Sequence, residues 1–203
     1  MPKPQEILNG LQSIVTNYSR YAILWHMVFY FLIIALILKW TPSNRLMGVL
    51  ISLPLLSVAI FAWLTGNPFN GMLFAIAFAA ILILGFKCTG NPISTSTLTF
   101  LIVGIIMVTF GLVYPHFLET GSIVKYLYAS PAGLIPCPTL SVLIGLLLIF
   151  NGFGSTYLTL SLIVLGLFYG LFGVFRLGVH LDLFLLCGTL ALIGKYISML
   201  KNV

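Results

Sequence analysis

Charge is what this sequence has least of. Only 6% of its 203 residues are charged, and only three, Glu6, Glu119 and Asp182, are acidic; a soluble domain carries roughly a quarter charged residues. With 61% of the chain hydrophobic, no soluble fold could bury the apolar surface. So few acids leave no carboxylate dyad inside a bundle, which weakens a conventional proton-coupled pump. Catalytic signatures are missing too. No nucleotide-binding loop, Gly-x-Ser-x-Gly elbow or His-Glu-x-x-His motif occurs, so ATP-driven transport by this chain alone and standard hydrolase chemistry are disfavoured, and an enzyme is not the expected reading. The three cysteines, Cys88, Cys137 and Cys187, are odd in number and far apart, without the paired spacing of a zinc or thioredoxin site. The first 20 residues lack a basic start, a short apolar core and a small-residue cleavage site, so the N-terminus is expected to be retained.

What the chain does have is apolar runs of bilayer length, at about 21–39, 47–64, 69–86, 97–114, 138–153, 156–175 and 179–199. They are continuously apolar, whereas strands of a membrane barrel alternate. The expected fold is all-α: a single integral membrane domain over residues 1–203, a polytopic helix bundle with about seven spans, or six if the fifth run is re-entrant. Over residues 4–17, Ile7, Leu8, Leu11, Ile14 and Val15 recur at helical spacing opposite Gln5, Glu6, Asn9 and Gln12, the pattern of a short interfacial helix. Two copies of Thr-Gly-Asn-Pro, at 65–68 and 89–92, read as helix punctuation in which Gly ends one helix, Asn caps the next and Pro takes its first position.

The nine Lys and Arg are scattered singly at run ends. They suit membrane anchors and orientation signals, not a nucleic-acid surface. Seven spans give Lys39, Arg45, Lys87, Lys195 and Lys201 to the C-terminal face, against Lys3, Arg20, Lys125 and Arg176 on the other. That narrow margin favours a C-terminus inside. All three acids fall on the N-terminal face, with Cys137, His116 and His180, while His26 sits about 8 Å below it at 1.5 Å per residue.

The longest connection, residues 115–138, lies on that face and is a candidate re-entrant loop. It closes on Pro136-Cys137-Pro138-Thr139, where two prolines are expected to prevent regular helix and leave Cys137 just ahead of the fifth run. A cysteine placed there can serve a soft metal, with His116, His180 and His26 as further ligands, or it can be a small buried residue in a turn. His26 is either bonded to a neighbouring helix or a haem ligand. Arg176 and Asp182 flank the last turn, where they complement helix dipoles and can pair, or serve a substrate or ion pathway together with Thr139. Gly166-x-x-x-Gly170 supports close helix contact, within one chain or between copies.

The stretch Gly133-Leu134-Ile135-Pro136-Cys137-Pro138-Thr139 leading into Ile144-Gly145-Leu146-Leu147, with Asn17-Tyr18 and Trp25 near the start and Gly178-Val179-His180-Leu181-Asp182-Leu183 near the end, resembles a family of small bacterial multi-pass inner-membrane proteins of unknown function. His26 stands where that family's pattern has proline. The resemblance implies a multi-pass protein of a bacterial inner membrane, with attention on Cys137 and Asp182. Three functional readings follow: a permease or binding protein for a small solute or metal ion near Cys137, a haem- or metal-binding redox accessory subunit, or a structural subunit of a larger complex. The bilayer is the expected partner, with a homo-oligomer or a larger membrane complex beside it. The cofactor is open, a metal ion or haem being the candidates.

Overall fold

The computed structural model describes residues 3–118 and 122–201, so Glu119 lies outside the described residues. Ten α-helices occur among them: α1 Pro4–Asn17, α2 Ser19–Ile37, α3 Asn44–Leu50, α4 Ser52–Leu64, α5 Pro68–Lys87, α6 Leu98–Val113, α7 Tyr126–Ala129, α8 Pro136–Ile149, α9 Thr156–Leu171 and α10 Asp182–Leu200. Apart from an isolated bridge between Ser43 and Pro92, no β-structure is present among the described residues.

Several boundaries follow from local chemistry. Pro54 lacks an N–H and its ring crowds the carbonyl four residues back, at Leu50, which is where α3 ends and α4 begins. The first Thr-Gly-Asn-Pro copy behaves as expected: Gly66 takes a left-handed φ of 73°, the Asn67 side chain accepts from the Asn70 N–H at 3.1 Å, and Pro68 opens α5. The second copy does not. Its Asn91 carbonyl accepts from the Asn44 N–H at 2.8 Å, Pro92 pairs with Ser43, and α6 starts only at Leu98. Here Ser and Thr between 94 and 97 favour extended chain, and pairing with the α2–α3 connection outcompetes helix initiation.

Five helical stretches are long and apolar enough to cross a membrane: 19–37, 44–64, 68–87, 156–176 and 182–200. The runs expected at 97–114 and 138–153 fold as α6 and α8, of 16 and 14 residues. At 1.5 Å per residue these reach about 24 and 21 Å, short of a hydrocarbon core about 30 Å thick. Five helices are thus of membrane length, and two shorter apolar helices stand where the other two of the seven apolar runs fall.

Helix α8 is the axis of the bundle, buried at every position from Pro138 to Leu148. Helix α6 approaches it backbone to backbone: a Cβ on Gly104 would meet the Gly145 carbonyl oxygen at 2.7 Å, and one on Gly145 the Gly104 oxygen at 2.7 Å. Gly166 and Gly170 pack likewise on Thr189 and Leu186 of α10, so this glycine pair is used inside the chain. At one end of the bundle Asn44 donates to Thr89 and Asn151 to Ser94. The other end gathers α1, the α4–α5 turn, Tyr114, the start of α8 and the α9–α10 turn around one cavity.

Candidate functional site

The cavity has a volume of about 430 Å³, within the range of small-molecule sites. Its most polar wall begins with the first turn of α8. The expectation that two prolines keep helix out of this stretch is corrected here: Ile135 is the extended N-cap, and Pro136, Cys137 and Pro138 already lie in the helix. The first N–H groups of a helix have no partner within it, so prolines in the opening turn forfeit no hydrogen bond. Cys137 is consequently the second residue of α8.

The approach to that turn is pinned by the protein. Residues 129–136 are all buried. Thr139 accepts from the Gly133 N–H at 2.8 Å and donates to the Ile135 carbonyl at 2.7 Å. Gly133 has φ 83°, and a Cβ there would strike the Trp25 ring at 2.3 Å. The Trp25 indole in turn donates to Ser57 at 2.8 Å. Thr139, expected along a substrate pathway, is thus a brace for the turn and does not line the cavity.

The opposite side is the junction of α9 and α10. Helix α9 ends in a π-helical turn, Phe172–Arg176, in which the Leu177 N–H reaches back five residues to the Phe172 carbonyl at 3.1 Å. Such turns are frequent at functional positions. Gly173 lies inside it, and a Cβ there would fall 1.9 Å from Asp182 Oδ2. The absent side chain is what lets Asp182, first residue of α10, turn inward until it is only 2% exposed.

Three residues from different parts of the chain meet on that carboxylate. The Tyr114 hydroxyl donates to Oδ1 at 2.8 Å, and the Cys137 thiol donates to Oδ2 at 3.2 Å. Nearby, the Tyr169 hydroxyl donates to Asn70 Oδ1 at 2.9 Å. Phe69, Phe117, Phe168 and Phe172 form much of the remaining wall, and Glu6 and Arg176 line it as well.

The structure brings Cys137, Asp182 and Arg176 to one cavity and leaves the histidines elsewhere. Each ring nitrogen of His26 lies against a backbone carbonyl, Nδ1 with Ala22 at 2.8 Å and Nε2 with Leu112 at 2.9 Å. A metal or haem iron would have to displace one of these bonds. His116 packs edge-on to Tyr114 and Phe117, and burial lowers its pKa. His180 is exposed in the last turn. Among the described residues, no three His, Cys, Asp or Glu side chains come together as a metal site.

Sequence reasoning missed Tyr114, Tyr169, Asn70 and Gly173 as members of the site. A tyrosine at the end of an apolar run looks like an interfacial anchor, and nothing in its spacing points to Asp182. On α1, whose pattern is that of an interfacial helix, Leu11, Ile14 and Val15 pack against Phe61, Leu118, Leu134 and Ile135, and Glu6, Ile7 and Gly10 line the cavity. Compared with known protein families, curated proteins and solved structures, the chain matches none.

Proposed function

We propose that this is a multi-pass membrane protein that binds a small solute in the cavity beside Cys137 and passes it across the bilayer as a permease. The observation that carries this reading is a cavity of about 430 Å³ at one end of an apolar helix bundle, walled by aromatic rings and ending on the Cys137–Asp182–Tyr114 cluster. A buried carboxylate is unfavourable in an apolar bundle and is retained there chiefly for function. Two apolar helices too short to match the bilayer are compatible with seven spans, because α8 is surrounded by protein and needs no match to lipid thickness. Asn151 donates to Ser94 at one end of these helices, and Tyr114 and Cys137 meet at the other, which supports their running the full depth. The bacterial inner membrane, with the C-terminus inside, is the location that the family resemblance and the distribution of Lys and Arg favour.

Flux measurement in liposomes containing only this chain tests the reading. A panel of small cations, neutral solutes and acids should include at least one whose uptake depends on the protein and stops when Cys137 is alkylated in a Cys88→Ser, Cys187→Ser background. Protein-independent uptake for the whole panel would sink the permease.

A further inference from the structure

We infer that the solute taken by this cavity is an organic cation, an ammonium-type group carried on an apolar body. The inference rests on the cavity being the solute site and adds its chemical class. The first ground is charge. Asp182 is 2% exposed, and the groups bonded to its oxygens are a phenol and a thiol. Neutral donors stabilise a buried carboxylate incompletely, and a cation beside it supplies the balance. Among the described residues that line the cavity, the carboxylates of Glu6 and Asp182 outnumber the guanidinium of Arg176, and none is Lys or His.

The second ground is the wall. Phe69, Phe168, Tyr169 and Phe172 line the cavity together with Asp182; Phe168 and Phe172 stack at 5.8 Å between centroids, and Tyr169 stands edge-on to Phe168 at 5.0 Å. Aromatic faces attract cations through their quadrupoles and also accept apolar substituents, the combination by which quaternary ammonium groups are recognised. An anion would meet the single guanidinium of Arg176 against two carboxylates and many ring faces. A metal ion would find Cys137 and Asp182 together, but among the described residues no third His, Cys, Asp or Glu joins them in a group that could hold it.

The test uses the full chain in detergent and three probes of similar size by calorimetry: benzyltrimethylammonium, its uncharged counterpart 2-methyl-1-phenyl-2-propanol, and phenylacetate. The cation should bind about tenfold more tightly than either of the others. Asp182→Asn, which keeps the side chain's shape, should abolish that preference, and Phe168→Leu should reduce it several-fold. If Asp182→Asn fails to fold, the preference in Phe168→Leu and Tyr169→Leu decides, and unchanged selectivity in both overturns the inference. Equal or tighter binding of the alcohol or of phenylacetate, lost on Cys137 alkylation, overturns the cation and leaves the cavity as the solute site. Failure of all three probes to bind folded protein overturns the cation as well, and absence of flux across the wider panel then removes the permease reading with it.

Discussion

The hydroxyl of Tyr114 and the carboxylate of Asp182, 68 positions apart in the chain, are joined by a 2.8 Å hydrogen bond at the closed end of the cavity. It ties the residue that ends α6 to the one that begins α10. Tyr114→Phe removes the donor while keeping the ring that packs edge-on to Phe110. One carboxylate oxygen then loses its partner in a site with little water, and the expected loss is about 1–2 kcal/mol. Thermal unfolding in a fixed detergent reads it out; an unchanged midpoint would show that the bond contributes nothing net.

Gly173 supplies a sharper steric test. A methyl group there would overlap Asp182 Oδ2 at 1.9 Å and Cγ at 2.7 Å, so Gly173→Ala forces α9 and α10 apart or turns the carboxylate away. The expected destabilisation is about 1–3 kcal/mol, accompanied by loss of whatever binding Asp182 supports. Gly90→Ala is the control: nothing lies within 4 Å of its added carbon, and it does not line the cavity. If both variants behaved alike, close packing at Gly173 would not be what holds Asp182 inward.

His116 should make stability weakly dependent on mild acid. Burial disfavours its charged form and lowers its folded pKa, while an unfolded histidine titrates near 6.5 or so. In the window below that value the unfolded chain takes up the proton first, so the contribution is fully present above about 6.5 and is lost as pH drops from there toward the folded pKa. The imidazole resonances of His116 should titrate below the ordinary histidine range. His116→Gln should flatten the stability profile in that window, and a profile identical to the parent would assign the acid sensitivity elsewhere.

Much of the framework was legible in the sequence, and the reason is the bilayer requirement itself: long apolar runs, and a Gly-Asn-Pro turn whose capping chemistry is complete at 65–68. The site was legible only by side of the membrane. Cys137 and Asp182 were both placed on the N-terminal face by counting spans, and they do meet. Which helix faces touch was not readable, because helices apolar all round carry no periodic signal to orient them. Tyr114, Asn70 and Tyr169 were therefore invisible as partners. The prolines misled for a local reason: at 136 and 138 they fall in an opening helical turn, whereas at Pro54 the same residue type breaks one. That α6 and α8 are shorter than the other apolar helices was hidden as well, since hydropathy marks where a run is apolar and not where helix begins and ends in it.

The three thiols should separate by location when the native protein is alkylated with iodoacetamide and digested for mass spectrometry. Cys88 is buried among core side chains, and burial pushes its thiol up, away from the reactive thiolate. Cys187 is exposed on α10, a surface that a polar reagent reaches poorly once lipid or detergent covers it. Cys137 lines the cavity and is open to any small molecule that enters. Its thiol donates to the Asp182 carboxylate, which disfavours the reactive thiolate, so it should be modified slowly in the parent and several-fold faster in Asp182→Asn, and a ligand that fills the cavity should slow that reaction and leave the labelling of Cys187 untouched. In denaturant all three should label together. A Cys137 still as unreactive as Cys88 once Asp182→Asn has removed that carboxylate would mean that solute does not reach the cavity, and the permease reading would lose the observation on which it rests.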